Sequence, residues 1–146
     1  MCIRDSSYTE PHLVEDLVLG EREDRLLTLP QSLADQNLVV EARGAGQRRV
    51  AMLYAHSLDL RLKERFGQLQ LLHAEGAPLA GAYVKVYGRQ GSGAAPFYKD
   101  GYTDLRGRFD YATLSTNQLD GVERFAILVV SKEHGALVRE AAPPPR

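Results

Sequence analysis

The sequence predicts an all-β domain built as an antiparallel β-sandwich, and three observations carry that expectation. From about residue 37 to residue 140, apolar side chains recur at every second position in short runs, a period that extended chain requires and helix does not. Glycine and proline fall between those runs, where turns need a positive φ or a residue without a ladder donor. No long 3.6-residue apolar period separates the runs, so sheet must pack on sheet to close a core.

Residues 1–29 read as a lead-in, short and irregular or helical. Met1-Cys2-Ile3-Arg4-Asp5-Ser6 resembles the translated sequencing-adapter tail found at the ends of metagenomic gene models. These six residues are therefore set aside, and the chain is expected to be a C-terminal fragment of something longer. Leu13, Val14, Leu17 and Val18 keep helical spacing, but Gly20 and the charged run 21–25 interrupt it.

Pro30 opens a helical turn through Ala34, after which the period becomes two. Residues 38–42 form a β-rich run closed by Gly44-Ala45-Gly46, and 50–55 resume it, which signals a hairpin. In the next run Leu58, Leu60 and Leu62 alternate with Asp59, Arg61 and Lys63, the pattern of a half-buried strand. A further strand starts at Gln68. Residues 75–79 carry turn chemistry, and Ala82, Val84 and Val86 then alternate with Tyr83, Lys85 and Tyr87.

Residues 88–96 read as a glycine-rich exposed loop. Residues 97–103 and 107–112 flank the turn Asp104-Leu105-Arg106-Gly107 as a hairpin. A polar connection with one helical turn follows over 113–121. Residues 125–130 are apolar throughout, which predicts a central strand covered on both faces. A last strand over 135–140 precedes the proline tail at 143–146.

At Gly76-Ala77-Pro78-Leu79-Ala80-Gly81-Ala82-Tyr83-Val84-Lys85-Val86, and again at Thr103-Asp104-Leu105-Arg106-Gly107-Arg108-Phe109, the chain resembles the carboxypeptidase-regulatory-like, transthyretin-like (prealbumin-like) β-sandwich domains. The resemblance covers roughly residues 66–140. It implies a transthyretin-like/Ig-like sandwich over 66–142, with 30–65 either extending it or left over from a preceding module. It also implies a non-catalytic structural or accessory module of a larger bacterial protein, outside the cytoplasm, with that protein's other domains as partners. The hydroxyisourate hydrolases that share the fold end in a Tyr-Arg-Gly-Ser type tail, whereas this chain ends in Ala141-Ala142-Pro143-Pro144-Pro145-Arg146.

Composition excludes several classes. A length of 146 residues suits one domain, or one domain plus part of a neighbour, and 44% hydrophobic with 25% charged residues is ordinary globular composition. A net charge of −1 offers no field for nucleic acid. The longest apolar run, 125–130, has strand length and cannot insert in a membrane. Cys2, the lone cysteine, permits no internal disulfide.

No catalytic, cofactor or metal site is expected. His12, His56, His73 and His134 are far apart in sequence and lack ligand spacing. Asp100, Asp104 and Asp110 are interleaved with Lys99, Arg106 and Arg108, which favours ion pairs over calcium. Ser115, Thr116 and Asn117 with Asp120 have no base nearby, and residues 88–93 lack the Lys-Ser/Thr of a phosphate loop. The aromatic set Tyr83, Tyr87, Phe97, Tyr98 and Tyr102 remains. Tyr83, Lys85, Tyr87 and Tyr98, with the 88–96 loop, form a candidate contact face for glycan or protein. The alternative is that these rings simply pack across strands.

Overall fold

A computed structural model describes residues 10–115 and 117–145. The adapter-like tail, Cys2 and Thr116 lie outside the described residues. The chain divides into two compact units, Met1–Tyr54 and Ala55–Arg146.

In the first unit, residues 10–30 hold neither helix nor strand, so the lead-in is irregular. Gly20 and Glu23 close one turn through a backbone bond and a side-chain cap. The turn after Pro30 is a 3-10 helix, Gln31–Leu33. Strands β1 (Leu38–Gly44) and β2 (Gln47–Leu53) form an antiparallel hairpin registered from Leu38↔Leu53 to Gly44↔Gln47. Its two-residue loop has Ala45 at φ 48° and Gly46 at φ 72°, the paired positive angles that match the twist of tight hairpins.

The second unit contains β3 (Leu58–Lys63), β4 (Gln68–His73), β5 (Tyr83–Gln90), β6 (Phe97–Tyr102), β7 (Arg108–Asp110), β8 (Val122–Ser131) and β9 (Gly135–Ala141). They make two antiparallel sheets, ordered β3-β4-β7 and β6-β5-β8-β9. The alternation seen in the sequence decides which side chains meet. Leu69 and Leu71 point inward from β4. Val84, Val86, Phe125, Ile127 and Val129 point inward from β5 and β8, and all seven are completely buried with Tyr111. Burying each such side chain contributes about 1.5–3 kcal/mol relative to leaving it in water, so this layer holds the sandwich together.

Four expectations change. The segment 30–65 does not act as one piece: β3 pairs along its whole length with β4 in the sandwich, while β1 and β2 belong to the other unit. The turn at Asp104 is not a hairpin. It carries the chain from β6, paired with β5, to β7, paired with β4. The two strands face one another across the core, and Gly101 leaves room for the Phe109 ring, which would stand 2.7 Å from an added Cβ.

The expected 88–96 loop starts three residues later, and 91–96 form the exposed return. Gly88, Arg89 and Gln90 continue β5, pairing with Phe125, Arg124 and Val122. Bonds from Gly88 N–H to the Pro96 carbonyl and from Gln90 N–H to the Ala94 carbonyl hold the return. Gly88 is buried, and an added Cβ there would stand 3.2 Å from the Val122 side chain. Finally, β8 is central but covered on one face only. Phe125, Ile127 and Val129 enter the core, while Ala126, Leu128 and Val130 lie half-buried on the outer side. Their shielding comes from in-register neighbours on β5: Tyr87, Lys85 and Tyr83.

Candidate functional site

The outer face of the four-stranded sheet follows from register, because residues opposed in an antiparallel pair share a face. Tyr83 opposes Tyr102, Lys85 opposes Asp100 and Tyr87 opposes Phe97. This places these six side chains beside the aliphatic patch of β8. The Tyr83 and Tyr102 rings are 5.6 Å apart and the Tyr87 and Phe97 rings 6.4 Å apart. Between the two pairs, the Lys85 ammonium sits 5.4 Å from the Tyr87 ring and 5.8 Å from that of Phe97, within cation–π reach. The Tyr83 hydroxyl donates to Asp100 Oδ2 at 2.7 Å.

These contacts tune the polar groups on the face. The hydrogen bond to Asp100 raises the Tyr83 phenol above its ordinary value, and burial and the Asp100 charge add to it. The Tyr87 hydroxyl raises the Lys85 ammonium. Both groups therefore hold one charge state at neutral pH: a neutral donor beside a carboxylate, and a fixed cation between two rings. Phe97 and Tyr102 remain 54% and 68% exposed, so the cross-strand packing leaves much of the aromatic surface in water. Arg124 and Glu140, 3.7 Å apart, lie at one end of the same face.

Three of the four residues named from sequence stand together here: Tyr83, Lys85 and Tyr87. Tyr98 does not. The ladder slips between Val86 and Tyr87, where Lys99 opposes one and Phe97 the other. That bulge leaves Tyr98 as the extra residue and turns it inward. Its ring meets Phe125 at 5.0 Å, and its hydroxyl accepts the Thr113 N–H at 3.1 Å. Strict alternation would have kept Tyr98 with Asp100 and Tyr102, so nothing in the period announced the departure. The 88–96 return contributes a shallow cleft of about 250 Å³, lined by Gly88, Gln90, Pro96, Phe97, Tyr98, Gln118 and Val122.

The three aspartates do not converge. Asp100 meets Tyr83, Asp104 caps its own turn, and Asp110 accepts from the Gln68 amide at 2.9 Å. Sequence spacing missed a histidine pair, His73 and His134. His56 bridges to Gly135, and the His73 and His134 rings meet edge-on at 4.7 Å. Ser57 Oγ lies 3.1 Å from His134 Nδ1. The neighbouring carboxylates Glu75 and Glu133 are 89% and 88% exposed and stand 3.8 and 4.0 Å from the rings. This arrangement staples β4, the entry to β3 and the β8–β9 turn; it has no oriented carboxylate to activate Ser57 through His134. Among the described residues, no group of three His, Cys, Asp or Glu side chains is placed to hold a metal ion. No helix among them is long and apolar enough to cross a membrane.

Two antiparallel sheets over one apolar core define an Ig-like β-sandwich domain. The chain belongs to the AbpF C-terminal domain family, whose model matches residues 57–146. It is 33% identical over 139 residues to the protein titled "Actin-binding protein F" from Dictyostelium discoideum. That alignment covers 94% of this chain and 6% of the relative, so the chain spans a small part of the length of the protein it matches. No solved structure matches.

Proposed function

We propose that this chain is a non-enzymatic accessory β-sandwich module of a much longer protein, and that its tyrosine-bearing outer face docks a protein surface, with filamentous actin as the partner. One observation carries the docking reading: Tyr102, Tyr83, Lys85, Tyr87 and Phe97 form a continuous outward aromatic strip around a cation. Tyrosine gives large contact area for two side-chain torsions and is enriched where proteins meet. The relative's title supplies the choice of actin.

The finer likeness to carboxypeptidase-regulatory-like domains is supported by how the two motif halves are joined. Thr103 ties 79–82 to the turn at 104–107 through both its backbone and its hydroxyl. The bacterial parent implied by that likeness is not carried forward, since the relative at hand comes from Dictyostelium discoideum. The larger parent is.

Cosedimentation with actin filaments tests the reading. The parent chain is expected to pellet with filaments, and a Tyr83→Ala/Tyr87→Ala variant that keeps its melting temperature is expected to bind at least about tenfold more weakly, the effect of losing an aromatic anchor. Equal pelleting of both would remove the face from the interaction. Glycan-array binding by the parent chain, lost in the same variant and without filament binding, would transfer the face to carbohydrate.

A further inference from the structure

We infer that the sandwich carries a proline-recognition slot, walled by Glu64, Gly67, Tyr111 and Ala112, which the chain's own segment 142–145 fills in cis and which takes an extended proline-rich peptide in trans. The slot shares no residue with the aromatic face, so it stands apart from the docking reading.

The ladder of β9 ends at Ala141, opposite Phe125. Residues 142–145 are neither strand nor helix, and Pro143, Pro144 and Pro145 have no N–H to offer a sheet. Such a run favours the polyproline II form, extended and without internal hydrogen bonds. Side chains hold it instead. The Ala142 N–H donates to Glu64 Oε1 at 2.8 Å, and the Tyr111 hydroxyl donates to the Ala142 carbonyl at 3.3 Å. Two residues on, Pro144 is buried, while Pro143 is half-buried and Pro145 exposed. Side chains that grip the N–H and C=O of one residue, with a proline seated beyond it, are the means by which a domain reads an extended peptide.

The wall is built from bonds that do not involve the segment. Glu64 opens the 3-10 turn Glu64–Phe66 between β3 and β4, and Gly67 closes it at φ 60°, its N–H donating to the Glu64 carbonyl at 3.1 Å. The Gly67 carbonyl accepts the Ala112 N–H at 3.0 Å, which ties the turn to the chain leaving β7. The missing side chain of Gly67 makes the seat, since an added Cβ would stand 3.2 Å from Pro144 Cγ and 2.7 Å from Ala112 Cβ. Tyr111 is completely buried. Burial pushes its phenol up to about 12, and the Glu64 charge adds to the rise, so it stays a donor at neutral pH. A site fixed in this way loses little freedom on taking a ligand. An open groove of about 380 Å³ shares Ala112 with the slot. Its lining residues Phe66 and Leu114 are 62% and 58% exposed, which gives an incoming chain access from water.

The segment in cis is held lightly. One of its two side-chain partners, Glu64, is exposed, and the other bond is long. A contact of this kind opens locally while the sheets stay closed. Because the segment is tethered, it competes at an effective concentration in the millimolar range. A free peptide therefore meets an occupied slot, and release of 142–145 uncovers it. The segment is an autoinhibitory contact.

Nuclear magnetic resonance tests this by titrating the 146-residue chain with acetyl-Ala-Ala-Pro-Pro-Pro-amide and following the Gly67 and Ala112 amides. In the parent chain those signals should shift saturably, with a midpoint at about millimolar peptide. Ala142→Pro/Pro144→Gly removes the segment's donor and its seated ring. In that variant the same signals should move in the same direction, with a midpoint at least about tenfold lower. Adding Glu64→Ala to it should raise the midpoint again by at least about fivefold, because the charged acceptor is gone. Acetyl-Ala-Ala-Gly-Gly-Gly-amide should leave the signals in place. Absence of a saturable shift in the parent overturns the inference, as does an equal response to the glycine peptide or an equal midpoint in parent and folded double variant. The parent titration uses the native chain, so it decides the matter even where the double variant loses its fold. Filament binding enters none of these readings, and either idea can fail alone.

Discussion

Ala82 and Thr103 grip each other twice. The Ala82 N–H donates to the Thr103 hydroxyl at 3.0 Å, and the Thr103 N–H donates to the Ala82 carbonyl at 2.9 Å. The same hydroxyl donates onward to the Leu79 carbonyl at 2.7 Å, and Thr103 is only 4% exposed. A buried hydroxyl that both donates and accepts is fully satisfied. Thr103→Val keeps the shape but leaves the Ala82 N–H and the Leu79 carbonyl without that partner, at about 2–3 kcal/mol. For a unit of this size the expected fall in melting temperature is about 10–20 °C, read by calorimetry. Thr103→Ser should lose less than half of that. Equal losses in both variants would assign the effect to the methyl group rather than the hydrogen bonds.

The same joint shows how far sequence reasoning reaches. Period two assigns Leu58, Leu60, Val84 and Val86 to the core because a strand repeats every second residue, and each is buried. The turn residues Gly81 and Gly107 could be read because only a few residue types adopt φ of 72° and 70° at low cost. Other features depend on partners distant in sequence. The bulge that turns Tyr98 inward is a property of the β5–β6 register, not of β6 alone. Residues 97–103 and 107–112 look like a hairpin, since nothing local distinguishes a turn within a sheet from one crossing between sheets. His73 and His134 meet because the end of β4 and the β8–β9 turn do. The proposed contact face was half legible: Tyr83, Lys85 and Tyr87 follow from alternation, whereas the place of Asp100 needed the ladder.

Acid should weaken the turn between the sheets in a way that identifies Asp104. Its Oδ1 accepts the Arg106 and Arg108 N–H groups, each at 2.8 Å. The bond from Arg108 does most to lower the carboxyl below its ordinary value of 3.8, and the nearby guanidinium charges add to it. A folded-state pKa below the unfolded one stabilises the fold above the unfolded value, and that contribution disappears as pH falls through the folded one. Asp104→Asn keeps an acceptor oxygen but removes the charge. Urea denaturation should therefore find the variant less stable than the parent at pH 7, with the difference shrinking below about pH 4. A difference that stays constant from pH 7 to pH 2.5 would mean that the carboxylate charge has no part in holding the turn.

Three residues beyond Asp104, Gly107 should be the least replaceable glycine of the sandwich. Its φ is 70°, and an added Cβ would stand 2.2 Å from the Leu71 carbonyl oxygen and 3.2 Å from the Leu79 nitrogen. Those atoms cannot move aside cheaply, because Leu71 donates to the Gly107 carbonyl at 2.7 Å and accepts from the Leu79 N–H at 3.0 Å. Gly107→Ala thus combines left-handed strain with displacement of β4 from the turn that seats it. The expected loss is about 3 kcal/mol or more. Gly46 provides the control, since it has nearly the same angle, φ 72°, with open space around its would-be Cβ. Gly46→Ala should cost only the conformational term, about 1 kcal/mol, felt in the hairpin and not in the sandwich. Denaturant midpoints followed by near-ultraviolet circular dichroism of the sandwich tyrosines separate the two. If Gly107→Ala shifts that midpoint no further than Gly46→Ala does, the close approach of the turn to β4 is not what holds the sheets in register.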